Sequence, residues 1–536
     1  MATTAQQPVT EQAWRPDAAG LALALAVAAA VYFPITRNYF AYDDFGHLYH
    51  IVNWSPMQFL LNPHGGHLLF TRNAVFLLSY ELFGANAAAY FWIVFGTHLA
   101  TVYVLYRIVR ELTDSTHVAC FGAALWGSLP VQEGTLGWYS VYGHALATAL
   151  TLLVLLGIVR LARRPAPLFA PLAWMLLLLA AATSFGVGIG ATCAMPIVAL
   201  LLLPAPRAHL PLLIGLSALA LAMRPLYFAL QQLYAQLYGG LAASFYLVLG
   251  LGYWPQHVRF FFGLLAYGIL AVVFGPFGQM AERLGIGTGS LAVILAYCAI
   301  AIGVWVGGSG MVRRRMLASL TLAAAVYAVI AVGRGMFVTP ANIERAMASP
   351  RYHYLGTAAL TLLTCLVLAE LGRRWPVPAR GKTALLMTWA ALTLFVTVGR
   401  PMQHYDRARN ETAWVLREVQ RAAGSVPRGR DVYIENHPFE AAGSLYADGV
   451  EFPGWAAVFA INSSSNTVAG RLIHFADAEP KTVAAAALGR RTAGLIVPLQ
   501  DVQGTIYRPR ERPRYVVRND APAAAPPADM QPHAQP

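Results

Sequence analysis

Lysine is nearly missing from this chain: Lys382 and Lys481 are the only two in 536 residues, so its cationic work falls to arginine. Cysteine is scarce as well. Cys120, Cys193, Cys298 and Cys365 all lie in apolar stretches without CxxC spacing, which excludes a disulfide-stapled scaffold and a cysteine metal site and leaves them as small packing residues. Charged residues make up only 12% of the chain, about half the share usual in soluble domains, whereas 57% of residues are hydrophobic. Intrinsic disorder is excluded by that apolar content. With a mean hydropathy of +0.52, most of the chain is expected to be dissolved in lipid, as a polytopic α-helical membrane protein.

The formal charge of +13 is unevenly spread. Residues 1–399 hold 22 basic and 11 acidic groups, and residues 400–536 hold 16 and 14. The surplus therefore belongs to the hydrophobic part, where arginine marks cytoplasmic loops, and it argues for no nucleic-acid partner. Residues 1–17 are expected to be a cytoplasmic N-terminus. The apolar run from Ala18 to Pro34 is followed by Arg37 with no small-residue cleavage site, and so reads as a retained first span. Further spans are expected near 88–108, 117–134, 141–161, 168–185, 187–204, 208–228, 236–254, 258–277, 289–309, 316–334, 353–371 and 383–399, about thirteen in all. Arginine bias puts Arg107/Arg110, Arg160/Arg163/Arg164, Arg207, Arg313/Arg314/Arg315 and Arg373/Arg374/Arg380/Lys382 on one side if the 236–254 span is kept. The other side, the periplasm in a bacterium, receives the 35–87 loop, the 134–140 turn, the 278–288 and 335–352 loops, and everything after 400.

Residues 400–519 change character. A polar helix is expected over Arg407–Ala422, with strand-like runs at 432–434, 495–497 and 515–517, a small α/β appendage outside the membrane. The tail 520–536 is rich in Pro and Ala and reads as disordered. No internal repeat is visible.

Acid is scarce enough to audit residue by residue. Glu11, Asp17, Glu111, Asp114 and Glu370 fall on the expected cytoplasmic side. Asp43, Asp44, Glu81, Glu133, Glu282 and Glu344 fall on the other. The adjacent pair Asp43-Asp44 sits among aromatics, which raises a carboxylate's pKa and suits a general base. A helix starting at Asp44 would align Asp44, His47 and His50 on one face. The same pair is also compatible with an N-cap in a solvated loop. His47, His50, His64 and His67 with the aspartates permit a divalent metal such as Mg or Mn, an acceptor site, or a merely interfacial loop.

The pair after the first span, the run Asn62-Pro63-His64-Gly65-Gly66-His67-Leu68-Leu69-Phe70-Thr71-Arg72, the helix 90–110 with His98, the turn from Leu129 through Glu133 and Trp138 to Ser140, and Ser349-Pro350-Arg351-Tyr352-His353-Tyr354 together resemble GT-C integral membrane glycosyltransferases. Protein mannosyltransferases and lipid A aminoarabinose transferases belong to that superfamily. Many relatives carry Asp-Glu where this chain has Asp43-Asp44. The resemblance covers about 400 residues and rests on order and topology. It implies a GT-C-like domain over 18–399 and an enzyme of the inner (plasma) membrane. Such an enzyme moves a hexosyl or pentosyl group from a polyprenyl-phosphate donor to a glycan, lipid or protein hydroxyl, with inversion. Asp43, Asp44 and Glu133 would be catalytic, and Arg72, Arg334, Arg345, Arg351 and Tyr352 would bind the donor phosphate. His47, His50, His64, His67 and Trp138 would line the acceptor or a metal. The alternative is a transporter or flippase of a lipid-linked or anionic substrate, which calls for ionisable groups at mid-bilayer.

Overall fold

The computed structural model describes residues 14–40, 44, 47–48, 50–51, 54–64, 67–84, 86–238, 254–278, 290–335, 338–339 and 342–398, with the short segments 432–434, 473–475 and 515–516. Asp43, the 278–288 loop beyond Gly278, and the expected helix over 407–422 lie outside them.

The helices are α1 (Trp14–Tyr32), α2 (Pro56–Leu61), α3 (Phe70–Phe83), α4 (Ala87–Thr113), α5 (Thr116–Gly127) and the single turn α6 (Glu133–Leu136). They continue with α7 (Tyr142–Leu161), α8 (Ala170–Ala182), α9 (Gly186–Leu202), α10 (Leu210–Tyr238) and α11 (Trp254–Phe274). The last group is α12 (Ser290–Gly307), α13 (Gly310–Arg334), α14 (Ile343–Met347), α15 (Tyr354–Arg374) and α16 (Ala379–Thr397). A hairpin, β1 (Pro63–His64) and β2 (His67–Leu68), sits between α2 and α3.

Among the described residues, eight helical stretches are long and apolar enough to cross a membrane, with α8 and α9 as shorter apolar helices, so the chain is a multi-pass membrane protein. Of the remaining expected spans, 117–134 is the twelve-residue α5 and 383–399 is α16. Leu291, Leu295, Ile300 and Ile302 on α12 stay exposed, as lipid-facing residues do. Residues 239–253 of the expected span over 236–254 lie outside the described residues. Instead of ending near 228, α10 continues to Tyr238. Its Tyr227 hydroxyl accepts a hydrogen bond from Leu68 N–H (2.8 Å), and α10 also packs on α2, so its C-terminal part lies at the β1–β2 end of the bundle. The next helix, α11, opens at that same end, where His257 Nδ1 meets Ala331 O near the end of α13 (3.0 Å).

The bundle has two chemically distinct ends. At one, Asp17 pairs with Arg110 (3.0 Å), Glu111 and Asp114 pair with Arg163, and Glu370 pairs with Arg373 and Arg374. Three consecutive arginines there each bind the carbonyl end of a different helix. Arg313 donates to Trp305 and Val306 on α12, Arg314 to Leu200 and Leu203 at the end of α9, and Arg315 to Leu112 on α4. Cations at helix C-termini are favoured by both the dipole and the orphan carbonyls. These bonds bring the loops that carry Arg110, Arg163 and Arg313–Arg315 to one end. The α4–α5 reversal beside them uses Asp114 at φ 55 and a Ser115 cap on Val118 N–H.

The three appendage strands, β3 (Val432–Ile434), β4 (Ile473–Phe475) and β5 (Tyr515–Val516), form a sheet in the order β4-β3-β5. β3 runs parallel to β4 and antiparallel to β5. Two of them fall on the expected strand-like runs.

Candidate active site

The end of the bundle opposite the arginine loops is built around a tethered carboxylate. Asp44 has no exposed surface, and its Oδ1 accepts hydrogen bonds from Ser140 N–H (2.6 Å) and from the Ser140 hydroxyl (2.5 Å). A solvated N-cap is thereby excluded: the carboxylate reaches across 96 positions of sequence into a protein interior. Ser140 is held because its neighbour Tyr139 is locked in an aromatic cluster with Phe76 (4.7 Å), Tyr90 (4.9 Å) and Tyr142 (5.4 Å). The turn containing Ser140 begins with half-buried Glu133 at the start of α6, with Pro130 three positions before it.

Gly134 brings that turn to the Ser349–Tyr354 segment. A Cβ at 134 would lie 2.5 Å from Pro350 Cβ and 2.7 Å from Arg351 N, so only glycine permits this approach. Once there, the Arg351 guanidinium lies over the rings of Trp138 (5.4 Å) and Tyr352 (5.3 Å). The loop is anchored from behind: His353 Nε2 donates to Met347 O (2.7 Å), and its Nδ1 takes the Tyr327 hydroxyl (3.1 Å).

Around these carboxylates the structure gathers arginines and histidines. Arg72 is wholly buried and donates from Nη2 to His47 Nε2 (3.1 Å); Arg334 donates to His67 Nε2 (3.3 Å). Because guanidinium only donates, both imidazoles are fixed with Nε2 as acceptor. The rings of His47 and His64 are 4.6 Å apart, His64 lies opposite His67 in the hairpin, and His50 stacks on Trp54 at 3.7 Å. Burial, and then the nearby basic groups, hold His47, His50 and His67 neutral. Desolvation leads for His50, followed by His64 and Arg72, and its pKa is pushed down to about 3. His47 lies well below the ordinary value through desolvation and then Arg72. His67 does so through desolvation and then Arg334, with His144, His64 and Arg351 behind.

Such a set attracts anions. Among the described residues no group of three His, Cys, Asp or Glu side chains could hold a metal ion. Guanidinium groups occupy the Nε2 positions of His47 and His67, which sets positive charge beside two of the loop histidines and favours an anion there. Arg345 is exposed on α14, and among the described residues no contact ties it to this cluster. His98 belongs elsewhere, since it accepts from the Tyr354 hydroxyl (2.8 Å) and donates to Gly127 O (3.0 Å) in the helix core.

Two participants escape a reading of the sequence. Ser140 stands in the Glu133 turn with nothing local to mark it as the partner of Asp44. His144, in the first turn of the apolar α7, is buried against Phe185 with ring centroids 3.9 Å apart. A single histidine inside an otherwise apolar run is the signal that could have found it.

The chain is similar to ArnT from Cupriavidus metallidurans in a crystal structure bound to undecaprenyl phosphate, with a TM-score of 0.47 and 12% identity, covering 91% of this chain and 90% of that one. No family model matches the sequence, and no curated protein does.

Proposed function

We propose that the protein is a GT-C-like glycosyltransferase that moves a sugar from a polyprenyl-phosphate donor to an acceptor hydroxyl, with inversion, at the face opposite its arginine-rich end. One observation carries the reading. The Asp44–Ser140 tether joins the loop after α1 to the Glu133–Trp138 turn, and that turn packs through Gly134 on Pro350 and Arg351. The segments whose order in sequence resembles the superfamily thus converge in space around one carboxylate and several guanidinium groups.

The chemistry asks for little more. An aspartate of the 43–44 pair takes the acceptor's proton while the hydroxyl oxygen attacks the anomeric carbon. The bond from that carbon to the phosphate oxygen breaks, and its electron pair leaves on the phosphate. Planar guanidinium forks suit phosphoryl oxygens, so Arg72, Arg334 and Arg351, with Tyr352 beside them, stabilise that charge without a general acid. Asp44 is anchored on Ser140, and Glu133 orients the acceptor from the turn. One base and an in-line displacement invert the anomeric centre, whereas retention would need a second carboxylate acting as nucleophile.

Orientation follows from charge. The end with Arg110, Arg163, Arg313–Arg315 and Arg373–Arg374 faces the cytoplasm by the positive-inside rule, so the site and the 400–519 appendage face the periplasm of a bacterial inner membrane. The acceptor is a cell-envelope glycan, lipid or protein, and the transferred group is hexosyl or pentosyl.

The test compares Asp43→Asn, Asp44→Asn and Glu133→Gln with the wild type for membrane yield and for envelope glycan modification. Normal yield with transfer reduced about 10²–10⁴-fold in at least one aspartate variant is expected, the span of general-base catalysis. Unchanged modification in all three would end this reading.

A further inference from the structure

Among the described residues, His144 is a buried side chain with both polar atoms unmet. It is 2% exposed, and neither Nδ1 nor Nε2 meets a hydrogen-bond partner among the described residues. Leaving a buried imidazole without partners costs free energy, so a site that keeps one calls for an occupant.

Its placement is built. Gly143, the residue before it, presses so closely on the 184–185 backbone that a Cβ would collide with Ser184 O, and this sets the His144 ring on Phe185. On the other face of the same break between α8 and α9, His67 packs on Phe185 with ring centroids 4.5 Å apart, and a Cβ at Gly186 would lie 2.8 Å from His67 Nδ1. Phe185 is thus flanked by two imidazoles. The charged and titratable groups that act on His144 are Arg351 from the 350–352 turn and Arg334 at the end of α13, with His67 on β2 beside them. Among the described residues no acidic group joins these cations in acting on His144. A partnerless N–H donor in the field of two guanidinium groups is complementary to an anion with several acceptor oxygens.

We propose that His144 is a binding residue for the lipid-linked phosphate, a diester in the sugar donor and a monoester in the polyprenyl phosphate released, donating an imidazole N–H to a phosphoryl oxygen that Arg334 and Arg351 also hold. Either charge state of the ring supplies at least one N–H. The inference rests on the polyprenyl-phosphate reading above and adds to it a residue that neither motif order nor arginine content points to. It separates His144 from His98 and His353, whose two ring nitrogens are each bonded within the fold.

The experiment uses the full chain in lipid nanodiscs and measures binding of a polyprenyl phosphate, of the matching polyprenol and of inorganic phosphate, together with thermal stability. The proteins are the wild type, His144→Phe and His144→Gln. Phenylalanine keeps the stack on Phe185 and removes both nitrogens, and glutamine keeps a donor. For His144→Phe the expected result is a Kd for polyprenyl phosphate weaker by about tenfold or more, polyprenol binding unchanged, and a Tm equal to or above that of the wild type, because an unmet polar group has been removed. His144→Gln should recover most of the affinity. A fall in Tm for His144→Phe with unchanged phosphate affinity would make the residue structural and overturn the inference. Dependence on His144 for inorganic phosphate but not for the lipid would overturn the assignment to a lipid headgroup. A wild type that binds polyprenyl phosphate no better than polyprenol would overturn this inference and the proposed function together, whereas wild-type binding that His144→Phe leaves intact overturns the inference alone.

Discussion

A carboxylate with no exposed surface needs fixed partners, and Asp44 has them in the backbone and hydroxyl of Ser140. That Asp44 matters is legible in sequence, because acid is rare outside the appendage and this residue stands beside a second acid among aromatics. That Ser140 holds it is not, since 96 positions separate them and a serine in a turn carries no distinguishing mark. Arg72 and Arg351 were legible for the same reason as the acids, each being a charged group near a span end. Arg345 looked equivalent in sequence, yet only its short helix decides that it stays exposed. The histidines give a prediction at this scale. Folding holds His50 near pKa 3 and His47 and His67 well below 6.5, so between these values the unfolded chain binds protons that the folded chain does not. Stability is therefore level above about pH 7 and falls as pH drops below about 6.5, by up to about 1.4 kcal/mol per pH unit for each such histidine. Thermal melts from pH 8 to pH 4 should show that decline, and His50→Phe should flatten it. A Tm that rises on acidification would contradict the neutral, buried assignment.

At the scale of elements, hydropathy found most of the helices because apolar runs bounded by Pro, Gly and Arg leave little choice in lipid. α10, expected to end near 228, continues to Tyr238 and packs on α2 and on β2 of the hairpin. The hairpin itself was signalled by Gly65-Gly66 between His64 and His67, a two-residue turn composition that a hydropathy reading passes over. The contact between the α6 turn and the 350–352 turn depends on Gly134. An alanine there places its Cβ against Pro350 Cβ and Arg351 N, and backbone on both sides must move. Gly134→Ala is expected to cost about 1–3 kcal/mol as an overpacking change and to lower transfer well beyond what its loss of stability explains, since it displaces Arg351 from Trp138. Gly96→Ala, on α4 with open space at its Cβ, is the control. Transfer unaffected in both would show that the two turns need not touch for activity.

For the whole molecule, the arginine surplus proved to be architectural. Arg313, Arg314 and Arg315 bind the ends of three helices, and acid at that end is consumed in ion pairs with Arg110, Arg163, Arg373 and Arg374. At the opposite end Asp44, Glu133 and Arg351 stand on turns tied together through Ser140 and Gly134, and Arg72 and Arg334 bond His47 and His67, which leaves the chain with a structural pole and a candidate chemical pole. The account expects these poles to face opposite compartments. In a cysteine-free background, an impermeant maleimide should label Arg345→Cys in intact spheroplasts and Lys382→Cys only after permeabilisation. The reverse pattern would invert the proposed topology.

The central claim is that the chemical pole holds a polyprenyl phosphate. The most direct measurement is mass spectrometry of the lipids that co-purify with the wild type and with an Arg334→Ala/Arg351→Ala variant of equal yield. The account predicts a polyprenyl phosphate, free or sugar-linked, enriched on the wild type and depleted about tenfold or more on the variant, as expected when charge-assisted bonds to phosphate are lost. Finding no such lipid on the wild type after its addition to the membranes, or equal amounts on both proteins, would contradict it.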